Sequence, residues 1–166
     1  MSILDGWEFC PRCRGPLTRG ANHARCADCG ETLWANPVPG VQALVERDGQ
    51  VLLARRGIEP RIGLWDFPGG FLDEHEHPLD GLRRELREET GLEIEVGDLL
   101  GIWLDPYDGR TILSLTWLAT PVGGVERAAD DVAELAWFGA AELPPNDQIA
   151  FPGQVEALAL WRSTRG

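Results

Sequence analysis

All four cysteines of the chain stand before residue 30, as CPRC (10–13) and CADC (26–29), with twelve residues between the pairs. No other feature limits the fold so strongly. A segment of about 35–40 residues cannot bury enough apolar surface to hold itself together. Two CxxC pairs at this spacing suit a tetrahedral structural zinc, with Cys10, Cys13, Cys26 and Cys29 as ligands, and the metal would supply the missing stability. Gly15 and Gly30 permit tight turns behind the pairs. His23 is an alternative ligand by type, but four thiolates already close the shell, so it reads as a loop residue. ANPVPG (35–40), with two prolines and a glycine, reads as a linker. The chain therefore divides into a small metal module over residues 1–36 and a larger domain over 37–166.

Charge is lopsided: 27 acidic residues face 15 basic ones, a net of −12. Such a field repels nucleic acid and anionic lipid unless it is reversed locally or neutralised by metal, so neither is an expected partner. No apolar run approaches the roughly 18 residues of a membrane span. The opening MSILDGWEFC has neither the basic leader nor the apolar stretch of a secretory signal. Paired thiols in such a chain point to metal rather than disulfides, and the expected compartment is the cytoplasm.

Beyond the linker, VQALVE (41–46) and VLLARR (51–56) alternate like half-buried strands around Asp48-Gly49, a hairpin signal. A helix follows from about Pro78 to Thr90, then apolar runs near EIEVGDLLGIWL and RTILSLTWLAT. A short strand at ELAWF (134–138) and a terminal helix near GQVEALALWRS complete the pattern. Strands and helices mix without regular βαβ repetition, which predicts an α+β domain with a mixed sheet between helices.

The first helix raises a problem of charge. Pro78 suits its first position and Gly91 the position just past its end. Leu79, Leu82 and Leu86 recur at helical spacing and predict one buried face. Glu85, Glu88 and Glu89 are related by three and four residues, so their side chains share another part of the surface and repel by a few tenths of a kcal/mol per pair. All three also approach the helix C-terminus, where the dipole disfavours anions. A solvated face with Arg83, Arg84 and Arg87 in compensation is one explanation. A hard divalent cation is the other, since Mg²⁺ takes oxygen ligands and binds through a few carboxylates plus substrate phosphates.

The wider segment decides between them. Gly70, Glu76 and Arg84-Glu85-Leu86-Arg87-Glu88-Glu89-Thr90-Gly91-Leu92 match every fixed position of the Nudix box, GX5EX7REUXEEXGU with U bulky and apolar. VLLARR before the box and ELAWFGAAELP after it are also similar to Nudix segments. The resemblance implies an α/β/α sandwich preceded here by a four-cysteine zinc ribbon, and hydrolysis of a nucleoside diphosphate linked to another group with Mg²⁺ or Mn²⁺. By motif position it makes Glu85, Glu88 and Glu89 metal ligands, helped by the backbone carbonyl of Gly69, and gives Glu88 a part in orienting or deprotonating the attacking water. Arg84 would hold a box glutamate, and Glu76 would support the loop or the metal. Members often take a further acid from a loop after the box, and Asp131 is the residue chosen here, beside Asp130 and Glu134.

Some neighbours of the box depart from the family pattern. Asp73 stands where Glu is common, His75 where Gly is common, and Gly81 where Ala is usual, which weakens the helix by up to about 1 kcal/mol. His75 and His77 read as exposed loop residues rather than ligands or bases.

RCADCGETLWANP, RRGIEPRIGLWDFPGGF and IAFPGQVEALALW extend the resemblance towards zinc-ribbon pyrophosphatases of ADP-ribose and FAD. NADH pyrophosphatases are more distant, because their aromatic-proline signature after the box has no counterpart here. The expected substrate is thus ADP-ribose, FAD or a similar dinucleotide, cleaved to AMP and a phosphorylated partner. Arg55, Arg56 and Arg61 are candidates to hold phosphate through their forked donors. Trp65, Trp103, Tyr107 and Phe151 are candidates to stack on a base. Two other readings stand beside this one: a housecleaning nucleoside triphosphatase, and a non-enzymatic module that senses a nucleotide or binds through its ribbon. The resemblance also carries the pairing of related pyrophosphatases as homodimers.

Overall fold

A computed structural model describes residues 3–164. β1 (Leu17–Arg19), β2 (His23–Cys26) and β3 (Thr32–Trp34) make a small antiparallel sheet. Cys26 ends β2, and the other three cysteines lie in the segments that flank this sheet.

The larger sheet has seven strands: β4 (Val38–Arg47), β5 (Gln50–Arg56), β6 (Trp65–Asp66), β7 (Gly69–Phe71), β8 (Leu92–Tyr107), β9 (Arg110–Gly124) and β10 (Val132–Gly139). Their order is β10-β5-β4-β9-β8, with β6 beside β5 and β7 beside β4. β4 and β9 run parallel and their other neighbours antiparallel, so the sheet is mixed, as expected. β4 begins at Val38, inside the segment read as a linker. Pro39 can join the sheet because only its carbonyl is used there, accepting from the Leu72 amide at 3.5 Å.

Two helices cover the two faces, and the alternation of β4 and β5 supplies both cores. Val41, Ala43, Val45 and Leu52 pack with Leu82 and Leu86 of α1 (Pro78–Thr90). Leu44, Val51 and Leu53 point the other way, against Ala157, Leu158 and Trp161 of α2 (Pro152–Ser163). The arrangement is an α/β/α sandwich. Asp48 and Gly49 both have positive φ, at 53° and 78°, and turn the β4–β5 hairpin. Asp108 and Gly109, at 43° and 75°, do the same for the long β8–β9 hairpin. That second signal was as plain in the sequence as the first. Among the described residues no helix is long and apolar enough to cross a membrane.

Candidate active site and metal centre

α1 is held at both ends. Pro78 opens it, the imidazole Nδ1 of His77 accepts from the Leu79 amide at 3.3 Å, and Gly91 closes it at φ 70°. His77 is therefore the N-cap, not merely an exposed loop residue. Before it, His75 is forced to φ 73°, a left-handed conformation that favours glycine, so the departure from family pattern at this position is a point of strain. Gly81 is the opposite case. A Cβ there would stand 2.5 Å from Leu72 and 2.7 Å from a Glu76 oxygen, so its bare backbone lets the loop close onto the helix.

Arg84 organises the carboxylates. Nε and Nη2 grip the two oxygens of Glu76 at 2.9 Å each, Nη1 reaches Glu85 at 2.8 Å and Glu88 at 3.1 Å, and Nη2 also donates to the Phe71 carbonyl at 3.1 Å. The fork uses all its donor positions, which only a guanidinium can do. Hydrogen bonds from Arg84 and from the Asp73 amide hold the Glu76 carboxyl down at about 2.

Glu85 and Glu89 are buried on the sheet side of α1, while Glu88 is exposed. Burial raises the Glu85 carboxyl above the usual range even beside Arg84. Burial also drives Glu89 well above that range, with the neighbouring Asp131 carboxylate adding to it. Glu89 in turn accepts from the Gly69 amide at 2.8 Å. Gly69 and Gly70 allow this approach: a Cβ on Gly69 would collide with the Val41 carbonyl, and one on Gly70 would meet the Glu85 carboxyl at 2.5 Å.

The structure thus brings Gly69, Glu85, Glu89 and Asp131 to one wall of a cavity of about 440 Å³. Glu88 turns outward to Arg84. Among the described residues the box carboxylates do not converge as tightly as the four thiols do. Their chemistry still fits a hard cation. The donors are all oxygens, and the closeness of the Glu89 and Asp131 carboxylates marks a place where positive charge relieves two acids.

The same cavity is also lined by aromatic rings. Tyr107 and Phe151 stack at 5.9 Å with 22° between planes, and Phe71 meets Tyr107 edge-on at 5.5 Å. The Arg56 guanidinium lies over both stacked rings and is fixed by Asp66 at 2.5 Å. The other sequence candidates are elsewhere. Arg55 pairs with Glu134 at 3.2 Å on the exposed side of β5, because neighbouring strand residues face opposite ways. Arg61 donates to the Ala150 carbonyl and backs Phe151 from outside the cavity. Trp65 is core, packed edge-on against Phe138, and Trp103 donates to Glu156 beside the same core.

Sequence reasoning missed a buried polar row beneath the cavity. Gln42 donates to Thr116 at 2.8 Å and accepts from Gln154 at 2.8 Å, and Gln154 also donates to Asp66. Asp105 and Ser114 form a second buried pair. Polar residues on the inward face of otherwise apolar strands were the available signal.

In the small sheet, all four sulfurs lie within 4.8 Å of one another, with Cys10–Cys29 at 3.8 Å and Cys13–Cys26 at 3.4 Å. A tetrahedron of Zn–S bonds of about 2.3 Å has edges of about 3.8 Å. The amides of Cys29 and Asp28 lower the Cys26 thiol to about 7. Against the Gly15 amide, hydrogen bonds with Cys29 and Cys26 push Cys13 up to about 12. Four clustered thiols cannot all ionise by themselves, and the cluster is compatible with a zinc ribbon.

The NUDIX domain model matches residues 36–159. An ADP-ribose pyrophosphatase from Methanocaldococcus jannaschii is 34% identical over 114 residues, 68% of each chain. A CTP pyrophosphohydrolase from Escherichia coli is 37% identical over 113 residues, 68% of this chain and 79% of the relative. The crystal structure of a NUDIX hydrolase from Nitrosomonas europaea has the same fold, with a TM-score of 0.82 at 24% identity over 95% of this chain and 92% of that one. With its intact box, its sandwich fold and these likenesses, the chain belongs to the Nudix hydrolases, a family of pyrophosphohydrolases.

Proposed function

We propose that the protein is a Mg²⁺- or Mn²⁺-dependent hydrolase of ADP-ribose or FAD-like dinucleotides, releasing AMP and a second phosphate monoester. One observation carries this reading: a single cavity is lined by buried acids, by stacked rings and by a guanidinium. An anhydride and a flat base are what such walls recognise. Glu85, Glu88, Glu89 and the Gly69 carbonyl would hold the metal, with Glu76 fixed behind them through Arg84. Held there, a divalent cation would supply positive charge to the phosphates and lower the pKa of the attacking water. Asp131, beside Glu89, would take a proton from the water. Arg56 would steady the phosphates. Water oxygen bonds to one phosphorus, the bridging P–O bond breaks, and each product leaves as a monoester. A structural zinc on Cys10, Cys13, Cys26 and Cys29 completes the reading, with the ribbon over 1–36 and the catalytic domain over 37–166.

The 37% identity to a CTP pyrophosphohydrolase favours a second reading, cleavage of a nucleoside triphosphate to monophosphate and pyrophosphate. Product masses from a panel of ADP-ribose, FAD, NADH and CTP with Mg²⁺ and Mn²⁺ separate the two. AMP with ribose 5-phosphate or FMN supports the first. Pyrophosphate with CMP, and no AMP, supports the second.

A further inference from the structure

Asp105 is a buried carboxylate on the cavity wall that the hydrolytic step does not use; it is 2% exposed. Its Oδ2 accepts from the Ser114 hydroxyl at 2.9 Å and its Oδ1 from the Gly153 amide at 2.8 Å. These two bonds fix the plane of the group. A carboxylate offers about four lone-pair sites, so about two remain, and all of them accept.

Its neighbours are the aromatic wall. Tyr107 lies two residues further along β8, on the same face of the strand. Phe151 lies two residues before Gly153, the residue whose amide Asp105 holds. A base lying against the Tyr107 and Phe151 rings would therefore present an edge to Asp105. Glycine at 153 keeps this fit close, since a Cβ there would stand 2.7 Å from Asp105 Oδ2.

An edge that meets a fixed acceptor must donate. Adenine and cytosine carry an exocyclic amine, whereas hypoxanthine and uracil carry a carbonyl oxygen at the same ring position and would be repelled. We propose that Asp105, steadied by Ser114, selects amino-bearing bases over keto-bearing ones in this cavity. The inference rests on the hydrolytic reading above and adds the group that chooses the base.

The test compares kcat/KM of the full chain for ADP-ribose against inosine 5′-diphosphoribose, and for CTP against UTP. The native protein should prefer the amino member of whichever pair it cleaves by about tenfold or more, the scale of one good edge contact. Asp105→Asn keeps an acceptor for Gly153 and turns a donor to the base, so the amino-to-keto ratio should fall about tenfold. Equal rates in the native protein overturn the proposal. So does an equal fall for both bases in the variant, which would make Asp105 only a brace for α2. Should Asp105→Asn fail to fold, Ser114→Ala decides the matter: a ratio reduced severalfold supports selection, and an unchanged ratio overturns it. Hydrolysis of none of these four substrates, nor of FAD or NADH, defeats the hydrolytic reading and this inference together, whereas hydrolysis of these pairs without preference defeats this inference alone.

Discussion

Glu89 shows what one residue of the site contributes and what it costs. Its carboxylate is buried, accepts from Gly69, and is driven above the usual range by burial and by Asp131. The folded state therefore binds a proton that the unfolded chain gives up from about pH 4 upward. The metal-free protein should lose stability as pH rises from there through the raised value, because the folded state then holds more protons than the unfolded one. Glu89→Gln removes that slope. Its melting temperature without metal at pH 7 should exceed the native one by a few degrees, and scans across pH should converge at low pH. Arg84→Lys is the converse. A single ammonium cannot serve Glu76, Glu85, Glu88 and the Phe71 carbonyl together, so it should destabilise by about 1–3 kcal/mol in denaturant titration.

At the scale of the element, the loop and helix of the box obey local rules that invert ordinary substitution chemistry. Gly81→Ala would normally strengthen a helix by about 1 kcal/mol. Here the added Cβ would press on Leu72 and the Glu76 carboxylate, so the variant should be less stable and slower. His75→Gly should go the other way, relieving a left-handed residue by up to about 1 kcal/mol, read as a higher denaturation midpoint. The helix itself was legible in sequence, since proline, glycine and leucine spacing marked its ends and buried face. The histidine cap was not, because imidazole is an uncommon substitute for Ser, Thr, Asp or Asn at that place. Nor was the start of β4, where Pro39 signals a linker but keeps a usable carbonyl.

At the scale of the whole molecule, the proposed zinc ribbon and the proposed catalytic domain would answer to different metals. Removing zinc with a chelator should unfold the small sheet, whose apolar core is too slight to persist alone, while the two cores around the large sheet remain. Circular dichroism should then show a partial loss of structure rather than a cooperative collapse. The carboxylate half of the site could be read from residues, because the box fixes it by spacing along one helix. The aromatic half of the cavity could not: Arg55, Arg61 and Trp65 were as plausible as Arg56, Tyr107 and Phe151 until the fold decided which of them line it. Asp105 and Ser114, nine residues apart and joined across a hairpin, carried no local signal. The most direct check is metal-dependent turnover of ADP-ribose and CTP by Glu88→Gln and Glu89→Gln, with folding verified by circular dichroism. Folded variants with turnover reduced by at least about 10²-fold are expected if these groups bind the activating metal. Folded variants with undiminished Mg²⁺-dependent turnover would contradict it.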